Sequence, residues 1–207
     1  MQSTNLYVYA VNNPILFMDP SGFKTVAFYY NNPGSGFEDQ VKKSAYFNYN
    51  NDDVEIISVI SSQDFIDAWN SLDDSDLDDV YLYLHGGEGK LYFKGETMNM
   101  TGNKSLASLT NKNAEGKVYL FSCHGGAGKE VDNVAWRFSE LTGATVSATE
   151  SSVSYSEIFG KYYARVSAED FWNPFDNFWS DYYYEKEYIL WGDIVAKKST
   201  RCSKWTD

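Results

Sequence analysis

Two stretches decide the fold. Val80-Tyr81-Leu82-Tyr83-Leu84 runs into His85-Gly86-Gly87, and Lys117-Val118-Tyr119-Leu120-Phe121-Ser122 runs into Cys123-His124-Gly125-Gly126. Each is a short run of apolar, β-branched and aromatic residues stopped by glycine, which predicts a buried strand. Working outward, residues 23–30, 54–60 and 144–148 carry the same signal. Helical signals fall between them. Ser35-x-x-Glu38 reads as a capping box opening a helix over 35–46. Ser61-x-x-Asp64 caps a second, whose Phe65, Ile66, Trp69 and Leu72 keep helical spacing. Val131, Val134, Ala135, Phe138 and Leu141 form a third stripe, with Gly143 placed to end it. Residues 89–100 read as a hairpin and 105–110 as a short helix. Strand–helix alternation with buried strands predicts an α/β fold: a mostly parallel central sheet with helices on both faces.

Composition narrows the function. The chain has 207 residues, 43% hydrophobic and 22% charged, which is the balance of a globular domain. Seventeen Lys and Arg stand against 29 Asp and Glu, a net charge of −12. That balance argues against nucleic-acid binding, which needs a basic surface, and against docking on anionic membranes. No run approaches a membrane span, and the opening residues lack the basic start and apolar core of a secretion signal. Export, if it occurs, is expected by another route. Two cysteines, Cys123 and Cys202, provide neither a disulfide framework nor a multi-cysteine zinc site. Asp73, Asp74, Asp76, Asp78 and Asp79 read as a solvated acidic loop; a calcium loop would want a Gly and a closing Glu that are not placed for it.

In open α/β sheets, sites form beyond the carboxyl ends of the strands. Parallel neighbours ending at His85 and Cys123 would bring an imidazole and a thiol to one sheet edge. A thiol becomes nucleophilic near neutral pH when a base or cation stands beside it. The helix after Gly125–Gly128 would aim its positive end at the same edge. The N–H groups of Gly86 and Cys123 are candidate oxyanion donors. His124, next to the thiol, competes for the role of base, although adjacent turn residues usually point apart. Cys202 lies in a polar tail and reads as a bystander.

Two resemblances sharpen this. Tyr7-Val8-Tyr9-Ala10-Val11-Asn12-Asn13-Pro14 followed by Asp19-Pro20-Ser21-Gly22 resembles the end of the Rhs/YD-repeat core, where an encapsulating shell gives way to a variable toxin. It implies that residues 1–22 are a remnant of that boundary and that 23–207 are a delivered effector domain. An encapsulating Rhs core and a cognate immunity protein would then be its partners, and a dedicated secretion system its route to a target cell. Leu82-Tyr83-Leu84-His85-Gly86 with Leu120-Phe121-Ser122-Cys123-His124-Gly125-Gly126 resembles the caspase-like cysteine peptidases, the clan of caspases, clostripain and gingipains. That resemblance runs over roughly residues 24–160. It implies a caspase-like three-layer sandwich, His85 as general base and Cys123 as nucleophile. It implies Gly86 in the oxyanion hole, a protein or peptide substrate, and no cofactor. Parts of that clan are activated by calcium.

In that clan the pocket for the residue before the cut is partly built after the fifth strand. Glu150 falls there and would suit a basic side chain; it reads equally well as a solvated loop acid. The aromatic run Phe171, Trp172, Phe175, Phe178 and Trp179 fits core, a pocket wall or a partner face. Two other readings stand beside the peptidase: a Cys–His acyltransferase, and a non-catalytic caspase-like adaptor.

Overall fold

The computed structural model describes residues 24–50, 54–129, 132–167, 180–188 and 194–201. In chain order the elements begin with β1 (Lys24–Tyr30), α1 (Phe37–Lys42), β2 (Val54–Val59), α2 (Ser62–Ser71) and β3 (Leu77–Tyr83). Next come β4 (His85–Gly87), β5 (Lys90–Phe93), β6 (Glu96–Asn99) and β7 (Lys117–Phe121). The chain continues through α3 (Val134–Thr142), β8 (Thr145–Ala148), β9 (Ser152–Ile158), β10 (Lys161–Ser167), β11 (Ser180–Tyr188) and β12 (Ile194–Arg201).

The main sheet has the order β12-β11-β8-β7-β3-β1-β2. Its five strands from β2 to β8 are parallel. Strands β11 and β12 extend the β8 edge antiparallel. The expected α/β architecture with a mostly parallel central sheet is present. Strand alternation sends side chains to opposite faces, and both faces are covered. On one, Phe28 of β1 meets Phe65 and Trp69 of α2 at 5.4 and 5.9 Å, and Trp69 meets Phe138 of α3 at 5.3 Å. On the other, Tyr81 of β3 stacks on Tyr119 of β7 at 4.6 Å. Tyr155 of β9 lies 6.0 Å from Tyr83, and Phe37 of α1 lies 5.9 Å from Tyr155. Helices α2 and α3 therefore form one outer layer. The second is α1 together with the β9–β10 hairpin.

Local signals explain most boundaries. Ser61 caps α2 by accepting from the Asp64 N–H at 3.1 Å, and the Asp64 carboxylate accepts in return from the Ile60 N–H. Gly143 ends α3 at φ 70°, a left-handed conformation that glycine adopts without strain. Helix α1 departs from expectation. Ser35 does not cap it: its hydroxyl donates to the Tyr30 carbonyl, and a left-handed Gly36 stands at the helix start. The helix also stops at Lys42, not residue 46, because Ser44 forms a parallel bridge with Tyr162 of β10 and the Ala45 N–H donates to the Tyr162 carbonyl. Strand β3 reaches back into the acidic run, so Asp78 and Asp79 belong to the sheet and not to a loop. Late in the chain, where Tyr188 to Ala196 reads in sequence as one strand, there are two: β11 ends at Tyr188 and β12 begins at Ile194. Residues 1–22, the Phe171–Trp179 aromatic run and Cys202 lie outside the described residues.

Trp69 is fully buried between sheet and helices, and its Nε1 donates to the Thr110 carbonyl at 2.9 Å. Trp69→Ala is expected to cost about 3–5 kcal/mol of stability, from lost burial and a remaining cavity. Urea unfolding followed by circular dichroism measures this; a loss under about 1 kcal/mol would mean the ring is not core.

Candidate active site

The site starts from a register. Strands β3 and β7 pair in parallel, with Tyr83 level with Phe121. His85 and Cys123 each follow two residues later, at the carboxyl ends of adjacent strands that run about 4.8 Å apart. Beyond the pairing, the two chain segments touch. A Cβ on Gly86 would run into the Ser122 hydroxyl and lie 3.1 Å from the Cys123 carbonyl oxygen. Only glycine lets the backbones come this close. Ser122 itself is fully buried and its hydroxyl has no hydrogen-bond partner.

His85 is the first residue of β4, and β4 pairs with β5 with His85 opposite Tyr92. The His-Gly-Gly segment is therefore a short strand and not a turn. The imidazole lies 4.8 Å from the Phe37 ring and 5.8 Å from Tyr30. The residue is exposed overall, but packing of its ring against these two aromatics lowers its pKa below the ordinary value near 6.5, because desolvation disfavours the charged ring. His85 is thus a neutral imidazole at pH 7, the protonation state a general base needs.

Cys123 is half-buried. Its Sγ accepts from the Val153 N–H at 3.3 Å, and its thiol also faces the Val153 carbonyl at 3.8 Å. His85 and Cys123 line one cavity of about 190 Å³ but share no hydrogen bond. Phe37, Gln40, Val153 and Tyr155 complete much of its wall. Tyr155 turns its hydroxyl inward to donate to the Phe121 carbonyl at 3.3 Å, and burial pushes that phenol's pKa well up.

The other expected residues fall elsewhere. His124 adopts φ 54°, its N–H donates to the Ser151 carbonyl, and its Nδ1–H donates to the Glu150 carbonyl at 2.7 Å. Its ring lines a separate cavity of about 750 Å³ bordered by Glu88, Lys90, Tyr92 and Asp132. His124 does not line the cavity that His85 and Cys123 share. Glu150 is exposed and does not line the His85–Cys123 cavity; its carbonyl holds His124. The amino end of α3 meets the backbone two residues beyond Cys123. The Ala135 N–H donates to the Gly125 carbonyl and the Trp136 N–H to the Asn133 side chain. The hydrogen-bond donor on the Cys123 sulfur is the Val153 N–H of β9. Among the described residues, no group of three or more His, Cys, Asp or Glu is placed to hold a metal ion. No described helix is long and apolar enough to cross a membrane.

Sequence reasoning missed four wall residues. Val153 and Tyr155 sit on the same face of β9, where alternation with serine carried a strand signal. Phe37 and Gln40 are three apart on α1 and so share a helix face. Nothing local in the sequence connects either pair to Cys123.

Fold and site together define an α/β domain with a thiol and an imidazole at the carboxyl edge of its sheet. Residues 39–161 match the family described as a domain of unknown function, DUF4347. The match covers more than half of the chain and holds both His85 and Cys123, and the chain belongs to that family. No curated protein and no solved structure matches the chain.

With two histidines in the chain, proton NMR can read His85 directly. The ring resonance lost in His85→Asn is expected to titrate with a midpoint below 6.5; a midpoint at or above 6.5 would mean a solvated ring. The sign for stability follows. The folded chain binds this proton less readily than the unfolded one, so the His85 contribution is full above pH 6.5 and is lost as pH falls below it. Gly86→Ala is expected to cost about 1–3 kcal/mol by forcing the β3 and β7 ends apart. Urea unfolding of that variant with unchanged stability would show the ends can separate freely.

Proposed function

We propose that the chain is the C-terminal effector cassette of an Rhs-type polymorphic toxin, and that residues 23–207 act as a caspase-like cysteine peptidase. The observation that carries the catalytic part is the shared cavity of His85 and Cys123 at the ends of adjacent parallel strands. The lowered pKa of His85 supports its role as base. The Rhs part rests on the boundary motif Asp19-Pro20-Ser21-Gly22 and its upstream residues.

The chemistry would be amide hydrolysis in two steps. His85 takes the Cys123 proton as the sulfur attacks the substrate carbonyl. The N–H groups of Gly86 and Cys123 receive the oxyanion. The C–N bond breaks, the leaving amine takes the proton from the imidazolium, and a thioester remains on Cys123. Water then gives a proton to His85 and attacks the thioester. The acid leaves and Cys123 regains its proton. The mechanism does not need a direct His85–thiol hydrogen bond at rest, since catalytic bonds often tighten only with substrate. No step requires a cofactor. Substrate, encapsulating core and immunity protein are the partners of this reading, and delivery into a target cell is its setting.

One observation favours a second reading. The thiol is hydrogen-bonded to Val153 and not to His85, as it would be in an adaptor that keeps the scaffold without turnover. A Cys–His acyltransferase would share the first half of the mechanism and pass the acyl group to an acceptor other than water.

Expression in a bacterial cytoplasm separates these. Wild type is expected to arrest growth and generate new protein termini. Cys123→Ala and His85→Ala should each lower peptide cleavage about a thousandfold or more, while His124→Ala should retain it. Equal toxicity of wild type and Cys123→Ala without new termini would sink the peptidase and leave the adaptor. Loss with His124→Ala but not His85→Ala would reassign the base.

A further inference from the structure

The geometry points to the cavity beside Cys123 as a pocket for an uncharged carboxamide side chain, asparagine or glutamine, selected by Gln40. The side chain belongs to the residue whose carbonyl Cys123 attacks, here P1. This inference rests on the peptidase reading and names its substrate class.

Size comes first. A cavity of about 190 Å³ holds roughly six waters at ~30 Å³ each, room for one medium side chain. Charge comes second. Phe37, Leu84, Phe121, Val153 and Tyr155 form apolar or aromatic wall, and among the described residues no Asp, Glu, Lys or Arg lines the cavity. A lysine or arginine entering it would lose water without gaining a carboxylate, and an aspartate would lose water without gaining a cation. Both are costly in an apolar wall. Glu150, the acid that sequence placed near this position, is exposed and does not line it.

The third observation selects among neutral side chains. Gln40 lines the cavity, and its Oε1 is buried with no hydrogen-bond partner. A buried acceptor without a donor is unfavourable, so a small turn of the amide toward a donor in the cavity is favoured. A carboxamide carries both donor and acceptor, and so pairs with the Gln40 amide in either orientation. Leucine fills similar volume and leaves Gln40 unpaired.

The test uses wild-type chain and fluorogenic peptide amides that differ only at P1: Asn, Gln, Leu, Arg, Lys and Asp. The same peptides carrying an acyloxymethyl ketone report alkylation of Cys123. Asn and Gln are expected to exceed Leu about tenfold in kcat/KM, the scale of one neutral hydrogen bond. They should exceed Arg, Lys and Asp by about a hundredfold or more. Gln40→Leu should remove the preference of Asn over Leu, and Gln40→Glu should raise Lys and Arg relative to Asn. Fastest alkylation by the Arg or Lys peptide would overturn the inference while leaving the peptidase in place. An unchanged Asn-to-Leu ratio in folded Gln40→Leu would do the same. If iodoacetamide modifies Cys123 but no peptide ketone does, the peptidase reading falls and this inference falls with it.

Discussion

The contact between Gly86 and the Ser122–Cys123 backbone is the constraint on which the site depends. Parallel pairing of β3 and β7 brings two strand ends to the same level. Pairing alone does not bring their side chains into one cavity, because each end can splay once the ladder stops. Gly86 closes that gap by having no Cβ where the Ser122 hydroxyl lies. Strand β4 then holds it from the other side: His85 stands opposite Tyr92, Gly86 opposite Leu91 and Gly87 opposite Lys90. The imidazole is therefore carried by paired backbone, which positions a side chain more sharply than a free loop does.

The two histidines show how a turn partitions chemistry. His124 directly follows the thiol in sequence, and His85 lies far before it. The left-handed conformation of His124 and its two bonds, to the Ser151 and Glu150 carbonyls, turn its ring into the larger polar cavity. Proximity in sequence puts His124 next to the cysteine; strand pairing puts His85 in one cavity with it. The acidic balance of the chain bears little on this site. His85 and Cys123 share a cavity that no charged side chain among the described residues lines, so its electrostatics are those of desolvation and not of ion pairs.

The parallel sheet was legible because β1, β3, β7 and β8 are apolar runs stopped by turn residues, a signal that needs no tertiary context. The end of α1 was not, because a backbone bridge from Ser44 to Tyr162 stops it, and a partner so distant in sequence leaves no local mark. The same reason hid half of the site. His85 and Cys123 announce themselves by closing strands before glycine. Gln40 and Phe37 reach the cavity only because α1 packs over the sheet near the β9–β10 hairpin. The donor on the sulfur left no local mark for the same reason, although α3 begins close by. The first N–H groups of α3 meet the Gly125 carbonyl and the Asn133 side chain, and the N–H facing the sulfur is that of Val153 on β9.

The Val153 hydrogen bond ties the thiol to the hairpin. Val153 can face Cys123 only while β9 lies over the second face of the sheet, and three interactions hold it there. The Tyr155 hydroxyl bonds the Phe121 carbonyl two residues before the thiol. The Tyr46 hydroxyl both donates to and accepts from the backbone of Ala164 on β10. Lys43 and Ala45 bond Tyr162 through their backbones. Two of these anchors come from the segment just after α1, the helix that carries Phe37 and Gln40. The cavity wall and the donor on the sulfur are consequently not independent. A shift of the hairpin that freed the thiol from Val153 would also move Tyr155 against Phe37 and reshape the pocket beside Gln40. Thiol release and pocket shape would change together, through packing alone, whenever a side chain enters the cavity.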